Sequence, residues 1–254
     1  MSYLEARQIR KRFGHVEALR GADFDVTLGN INALVGDNGA GKSTLVKILA
    51  GALRPDSGTI CVQGREVTFA NPHEARDHGI ETVYQDLALA GELSPAANLY
   101  LGREIRVRGI LGRLGFLDDR RMDREAARTF AQFGVNVAGA HRQVSFLSGG
   151  QRQSVAVARA AVWASKVVFL DEPTAALGVI QSRAVKDLIR RVRDRGVGVV
   201  LISHNMPEVL ELADYIQVMR FGVRVAAMEA KDATIEGLVT AMTSGDTSDS
   251  GVVS

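Results

Sequence analysis

INALVGDNGAGKSTLVKILAGAL, residues 31–53, decides the fold of this chain. Its first part, Ile31 to Gly36, is a short apolar run of the kind that forms a buried strand, and STLVKILAGAL reads as helix. Between them Gly36, Gly41, Lys42 and Ser43 stand at the spacing G-x-x-x-x-G-K-[ST]. A strand, a glycine loop and a helix in that order can wrap a polyphosphate. Glycines let backbone N–H groups face the oxygens without interference from a Cβ, and the positive end of the following helix adds a favourable field. Gly36, Asp37, Asn38, Gly39, Ala40, Gly41, Lys42, Ser43 and Thr44 are therefore the candidate nucleotide-binding set. Lys42 supplies a charge for the β- and γ-phosphates, and the Ser43 hydroxyl is a candidate Mg2+ ligand. The same residues could form a plain Gly-rich turn, but the strand and helix on either side favour the nucleotide.

Outward from this stretch the chain divides. Upstream, Phe24, Val26 and Leu28 alternate with Asp23, Asp25 and Thr27, the period of a half-buried strand. Downstream, GTICVQGREVTF (residues 58–69) places Gln63-Gly64 between two β-rich runs and predicts a hairpin. From about Leu87 to Ala164 the pattern turns helical. DDRRMDREAARTFAQFGV (118–135) puts Met122, Ala126 and Phe130 on one face, and this middle part reads as a separate helical lobe. Val167 to Leu170 and Val197 to Ile202 are short apolar runs suited to strands buried on both faces of a parallel sheet, with a helix between them that Gly196 caps. Strand-like YIQVMRFGVRVAAM (215–228) and a short helix near TIEGLVTAM (234–242) close the chain before a polar tail.

Composition narrows the classes. The chain has 254 residues, 46% hydrophobic and 24% charged, which is globular composition. Its longest stretch without Asp, Glu, Lys or Arg runs only from Thr129 to His141, too short for a membrane-spanning helix. Cys61 is the sole cysteine, so no internal disulfide forms, and MSYLEARQIRKRF lacks the apolar core of a secretory signal; the cytoplasm is the expected compartment. A net charge of +2 does not point to a polyanionic partner.

KVVFLDEP (166–173) sets Asp171 and Glu172 at the end of an apolar strand, the edge where open α/β sheets bind ligands. Asp171 suits Mg2+ and Glu172 an attacking water. Between the phosphate loop and this acidic pair stands LSGGQ, Leu147 to Gln151, opening the helical stretch RQSVAVARAAVWA. That pentapeptide, in that order, resembles the signature motif of the ATP-binding cassette (ABC) ATPases letter for letter, and the resemblance extends from about Leu4 to Met242. It implies an α/β fold of the P-loop NTPase type: a RecA-like mixed sheet, an N-terminal antiparallel β subdomain and an inserted α-helical subdomain at about 87–164. One ATPase domain would then fill 1–246, with 247–254 a disordered tail.

The resemblance also implies ATP and Mg2+ and assigns roles. Phe13, in KRFG, matches the aromatic that stacks on adenine. Gln85, in TVYQD, matches the glutamine that senses Mg2+ and the γ-phosphate, and His204, in LISHN, matches the switch histidine. Glu172, His204, Gln85 and Lys42 are thus the expected catalytic set; Ser43, Gln85 and Asp171 are the expected metal set. Ser148, Gly149, Gly150 and Gln151 would face the ATP of a second copy of the chain, in an ATP-dependent homodimer. Transmembrane permease subunits would dock near Gln85 and the segment Leu87 to Arg103, and an extracytoplasmic sugar-binding protein would act through them. No nucleic acid is implied, and the location is peripheral, at the cytoplasmic face of the inner (plasma) membrane. His15, His73, His78 and His141 read as ordinary residues, and the eight Arg and five acidic residues of 103–128 as a solvated face.

One departure stands out. The chain reads EPTAALGV, with Gly178 where the family carries an aspartate that makes a polar contact across the dimer. That variant, with VYQDLAL and NLYLGRE upstream, resembles the ATPases of bacterial monosaccharide importers of the ribose, xylose and fructose group. The rival is a soluble ABC ATPase acting on the ribosome or nucleic acid. Such proteins usually carry two cassettes or a long coiled-coil insertion, and neither is found here.

Overall fold

The computed structural model describes residues 2–84, 86–135, 142–175 and 177–244. Strands β1 (Leu4–Phe13) and β2 (Val16–Val26) form a hairpin, β3 (Ile31–Val35) leads through the glycine loop into α1 (Lys42–Leu49), and a second hairpin follows, β4 (Ser57–Val62) with β5 (Arg65–Val67). Next come α2 (Pro72–Asp77), β6 (Ile80–Val83), α3 (Pro95–Tyr100), α4 (Ile110–Arg113), α5 (Asp119–Gln132) and α6 (Gly149–Trp163). The last part is β7 (Val167–Asp171), α7 (Val179–Asp194), β8 (Gly198–Ile202), α8 (Met206–Leu212), β9 (Tyr215–Arg220), β10 (Val223–Glu229) and α9 (Ile235–Thr243).

Two sheets result. The antiparallel one has the order β2-β1-β4-β5, and the larger has β10-β9-β3-β8-β7-β6, parallel except where β10 returns along β9. Every residue of β3 and β8 is buried, which is why both read as unbroken apolar runs. The Gln63-Gly64 turn takes φ +52° and +74°, the left-handed pair that a two-residue hairpin needs. Met122, Ala126 and Phe130 line the buried face of α5, and Gly196 follows α7 at φ +84°.

Two expectations are adjusted. The helix after the glycine loop stops at Leu49 rather than running to Leu53, because Gly51 turns left-handed at φ +71° under the backbone of Asn71. The helical part is not a separate core. Val155, Ala156, Val157, Ala158, Ala160 and Ala161 are all buried, so α6 is enclosed on nearly every side. It joins Met122 and Phe130 to Val168, Leu170 and Leu188 in one apolar cluster.

Candidate functional site

β8 lies between β3 and β7, with Ile202 opposite both Leu34 and Asp171, so three strand ends open side by side at one edge of the sheet. The phosphate loop leaves β3 there. At Gly36 (φ +152°) a Cβ would sit 2.3 Å from the Met219 carbonyl oxygen, and at Gly41 (φ +100°) 2.6 Å from that of Ala18. Both must be glycine. The Gly222 N–H donates to the Ala40 carbonyl at 3.0 Å, and the Arg20 N–H to the Gly222 carbonyl at 2.9 Å. The turn after β9 and strand β2 thus buttress the loop, a support that no motif in the sequence announces. Asp37, Asn38, Gly39 and Ser43 face solvent, Thr44 is half-buried and Ala40 is buried. Gly41, the residue that opens α1, has no side chain to cap its first turn, and among the described residues the N–H groups there remain available at the positive end of the helix.

Lys42 is buried, and its ammonium donates to the carbonyls of Gly36 at 2.6 Å and Asp37 at 2.9 Å. An ammonium has three N–H donors, so one is left for a phosphate oxygen. Burial pushes its pKa down, while Glu172, Asp171 and Asp37 oppose that shift. The acidic pair is therefore within electrostatic reach of the phosphate loop.

Asp171, at the end of β7, is half-buried, and burial foremost, then neighbouring Glu172, raises its carboxyl pKa against the pull of Lys42 and Lys47. Among the described residues its carboxylate accepts no hydrogen bond. A partly desolvated oxyanion within electrostatic reach of the phosphate-loop lysine, with no hydrogen bond of its own to give up, fits a hard cation that takes few protein ligands and several phosphate oxygens. Gln85, the third expected metal ligand, lies outside the described residues.

The same desolvation has a thermodynamic sign. A carboxyl whose folded pKa is raised contributes stability that is present at acid pH and lost as pH rises through the folded value. At neutral pH the ionised group therefore costs stability. Asp171→Asn is expected to raise the thermal midpoint of the protein alone by about 1–3 °C, and, if Asp171 holds a cation, to give the same midpoint with MgATP as with ATP and EDTA. Thermal melts under the three conditions check both effects.

Glu172 sits at φ +50°, a left-handed conformation uncommon for glutamate and the sort of strain that collects at functional sites. Its Oε1 lies 2.6 Å from His204 Nδ1, across from the end of β8. The glutamate is mostly buried while the imidazole is 67% exposed, so the pair has an open side. The structure thus brings together Lys42, Asp171, Glu172 and His204.

The signature segment forms a different surface. Ser148 caps α6 through a capping box: the Gln151 N–H donates to Ser148 Oγ at 3.3 Å, and the Ser148 N–H to Gln151 Oε1 at 2.9 Å. A Cβ on Gly150 would lie 2.5 Å from the side chain of Gln181, so this glycine lets α6 pack against α7, while Gly149 meets only Leu177 at 3.8 Å. Among the described residues no hydrogen bond joins 147–151 to the phosphate loop. Gly178 caps α7 at φ −69° and ψ +165° with no side-chain bond to the helix, and the next two residues, Val179 and Ile180, are 88% and 82% exposed. Phe13 is half exposed at the end of β1, with the Lys11 ammonium 5.8 Å from its ring centre. A core role is ruled out for it. A groove of about 240 Å3, lined by Ala88, Leu101, Arg103, Arg159 and Trp163, runs beside the helical part. Sequence reasoning missed Thr174, Ser203 and Glu208, whose hydrogen bonds link the loops after β7 and β8.

Comparisons with known proteins agree with this geometry. The ABC transporter family profile matches residues 19–175. A fructose import ATP-binding protein of Rhizobium meliloti is 51% identical over 242 residues, covering 94% of this chain and 93% of that protein. A xylose/arabinose import ATP-binding protein of Sulfolobus acidocaldarius is 40% identical, over 95% and 94% of the two chains. A ribose import ATP-binding protein of Rubrobacter xylanophilus is 42% identical, but this chain spans only 46% of its length. Among solved structures, an ATP-binding cassette of an ABC transporter in its ADP conformation superposes with a TM-score of 0.78 at 25% identity, covering 99% of this chain and 97% of that one. The phosphate loop, the acidic strand end and a signature helix on one scaffold accord with these matches, and the chain belongs to the ABC transporter family.

Proposed function

We propose that this protein is the ATP-hydrolysing subunit of an importer for a monosaccharide, working as a homodimer under transmembrane permease subunits. The observation that carries the hydrolytic reading is the meeting of Lys42, Asp171, Glu172 and His204 at one sheet edge, with Glu172 and His204 2.6 Å apart. The phosphate loop binds the triphosphate through its N–H groups and the remaining donor of Lys42. Ser43 and Asp171, with Gln85, would hold Mg2+, which supplies neutralisation of the phosphate oxygens. Glu172 accepts a proton from water as the water oxygen attacks the γ-phosphorus and the bond to the ADP oxygen breaks. His204 steadies Glu172 from one side and presents its exposed edge toward the γ-phosphate. Phe13 stacks on the adenine.

The import reading rests on the relatives, whose names specify fructose and xylose/arabinose import. Permease subunits fit the groove beside the helical part, where Leu101, Arg103 and Trp163 offer apolar and cationic contacts. The sugar itself would be chosen by an extracytoplasmic binding protein. Among the described residues no helix is long and apolar enough to cross a membrane, so attachment at the cytoplasmic face would go through the permease.

The dimer reading starts from two phosphate-facing segments that share no hydrogen bond among the described residues. Ser148 and Gly149 open α6 as exposed residues and, among the described residues, without a hydrogen bond to the chain's own phosphate loop, so a γ-phosphate joining one subunit's loop to the other's helix would close the pair, and hydrolysis would release it. Ser148→Arg is the test. In a Glu172→Gln background the parent protein should dimerise with ATP by light scattering, whereas the added arginine should leave monomeric ATP binding intact and abolish the dimer. A dimer of undiminished affinity would remove the signature helix from the interface.

A further inference from the structure

Glu208 is a carboxylate only 4% exposed that the hydrolytic scheme leaves without a part. It sits in the first turn of α8, where the Asn205 side chain caps its N–H at 3.2 Å. One carboxylate oxygen, Oε1, accepts from the Thr174 hydroxyl at 2.5 Å; the other, Oε2, accepts from the Ser203 hydroxyl at 3.1 Å. Ser203 is fully buried, and its oxygen accepts in turn from the Asn205 N–H at 3.1 Å. Burying a carboxylate is costly unless donors compensate it, and here each oxygen has one.

The two donors are placed with consequence. Thr174 is two residues beyond Glu172, and Ser203 is adjacent to His204. Glu208 therefore clasps the loop carrying the water-activating carboxylate to the loop carrying its imidazole partner. Among the described residues those loops are otherwise tied by the Glu172 N–H to the Ile202 carbonyl, at 2.9 Å, and by the Glu172–His204 pair itself. With Glu172 held at φ +50°, a conformation that relaxes when its surroundings loosen, the clasp has something to oppose.

We propose that Glu208 is a positioning residue for ATP hydrolysis: through Thr174 and Ser203 it fixes the Glu172 carboxylate against His204. This rests on the reading of Glu172 as the hydrolytic base, and it adds a residue that touches neither nucleotide nor water. Misplacing a catalytic group by about 1 Å can cost on the order of 100-fold in rate, while the phosphate loop, on another strand, is untouched. The effect should fall on kcat and not on KM.

The experiment measures steady-state MgATP hydrolysis by the purified full chain. Glu208→Gln keeps the shape but replaces one accepting oxygen with an NH2 that cannot accept, so one hydroxyl loses its partner. It is expected to lower kcat by about 10–100-fold, with KM within about twofold. Thr174→Val and Ser203→Ala each open one side of the clasp without touching Glu208, and should lower kcat in the same way; they keep the test alive if Glu208→Gln does not fold. In a Glu172→Gln background, adding Glu208→Gln should lower the residual rate no further, because the base it positions is gone. Unchanged kcat in all three variants overturns the proposal. So does a parallel loss of kcat, KM and thermal midpoint, or full additivity with Glu172→Gln. If Glu172→Gln alone turns over at the normal rate, the hydrolytic reading falls first, and the clasp has no base to hold.

Discussion

Glu172→Gln is expected to lower kcat for ATP by about 10^2–10^4-fold, the range for loss of a positioned general base, with ATP affinity unchanged. The substitution is close to isosteric, so the contact at 2.6 Å with His204 can persist as an ordinary hydrogen bond and the left-handed backbone at this position is not asked to change. Removing one of two neighbouring carboxylates should also relieve Asp171, whose carboxyl pKa is raised in part by Glu172. The lost charge also weakens the attraction for a cation, so the rate is measured at saturating Mg2+ to separate loss of the base from loss of the metal. The expected product is a protein that binds MgATP, dimerises and stays closed. Single-turnover hydrolysis, nucleotide retention through gel filtration and light scattering follow the three properties separately. Near-normal turnover would move the base to another group and leave the strained backbone of Glu172 without a functional reason.

How far the sequence carries this picture depends on the kind of residue. The phosphate loop was legible because its chemistry is backbone chemistry: Gly36 and Gly41 are needed at fixed places, and the structure shows a carbonyl oxygen where either Cβ would go. β3, β7 and β8 were legible because strands buried on both faces leave no polar alternation. The division of Ser-Gly-Gly-Gln was not. Gln151 and Ser148 close the helix cap and Gly150 packs on Gln181, which leaves Ser148 and Gly149 as the segment's exposed residues, the serine with its hydroxyl engaged in the cap. Nor was the enclosure of α6 legible, since alanine reads as neutral in a periodicity count yet here permits burial on nearly every side. Glu208 was invisible for a different reason. It stands in PEVLEL as one acidic residue among helix formers, and its meaning arises only when strand order brings Thr174 and Ser203 to it. Gly178 was noticed as a departure, and its geometry adds that α7 starts without a side-chain cap, beside two exposed aliphatic residues.

Lys42→Ala should weaken ATP binding by about 10–150-fold, the equivalent of about 1.5–3 kcal/mol for one charge-assisted hydrogen bond to phosphate. Two of the ammonium's donors are spent on the Gly36 and Asp37 carbonyls, so the side chain holds the curl of the loop as well as offering its third donor outward. Alanine removes both functions. It also strips Asp171 and Glu172 of their nearest buried cation, which leaves the carboxylates facing each other with less compensation. The variant should therefore show a lower thermal midpoint than the parent without nucleotide, and a much smaller rise on adding MgATP, because ligand stabilisation grows with the logarithm of concentration over Kd. Calorimetric titration gives the affinity directly. Lys42→Met separates the two functions: it refills the space while still lacking charge, so it should recover part of the thermal midpoint and none of the affinity. Unchanged affinity in both variants would show that the N–H groups of the loop and of α1 suffice for the triphosphate, and would leave Lys42 a structural strut of the loop.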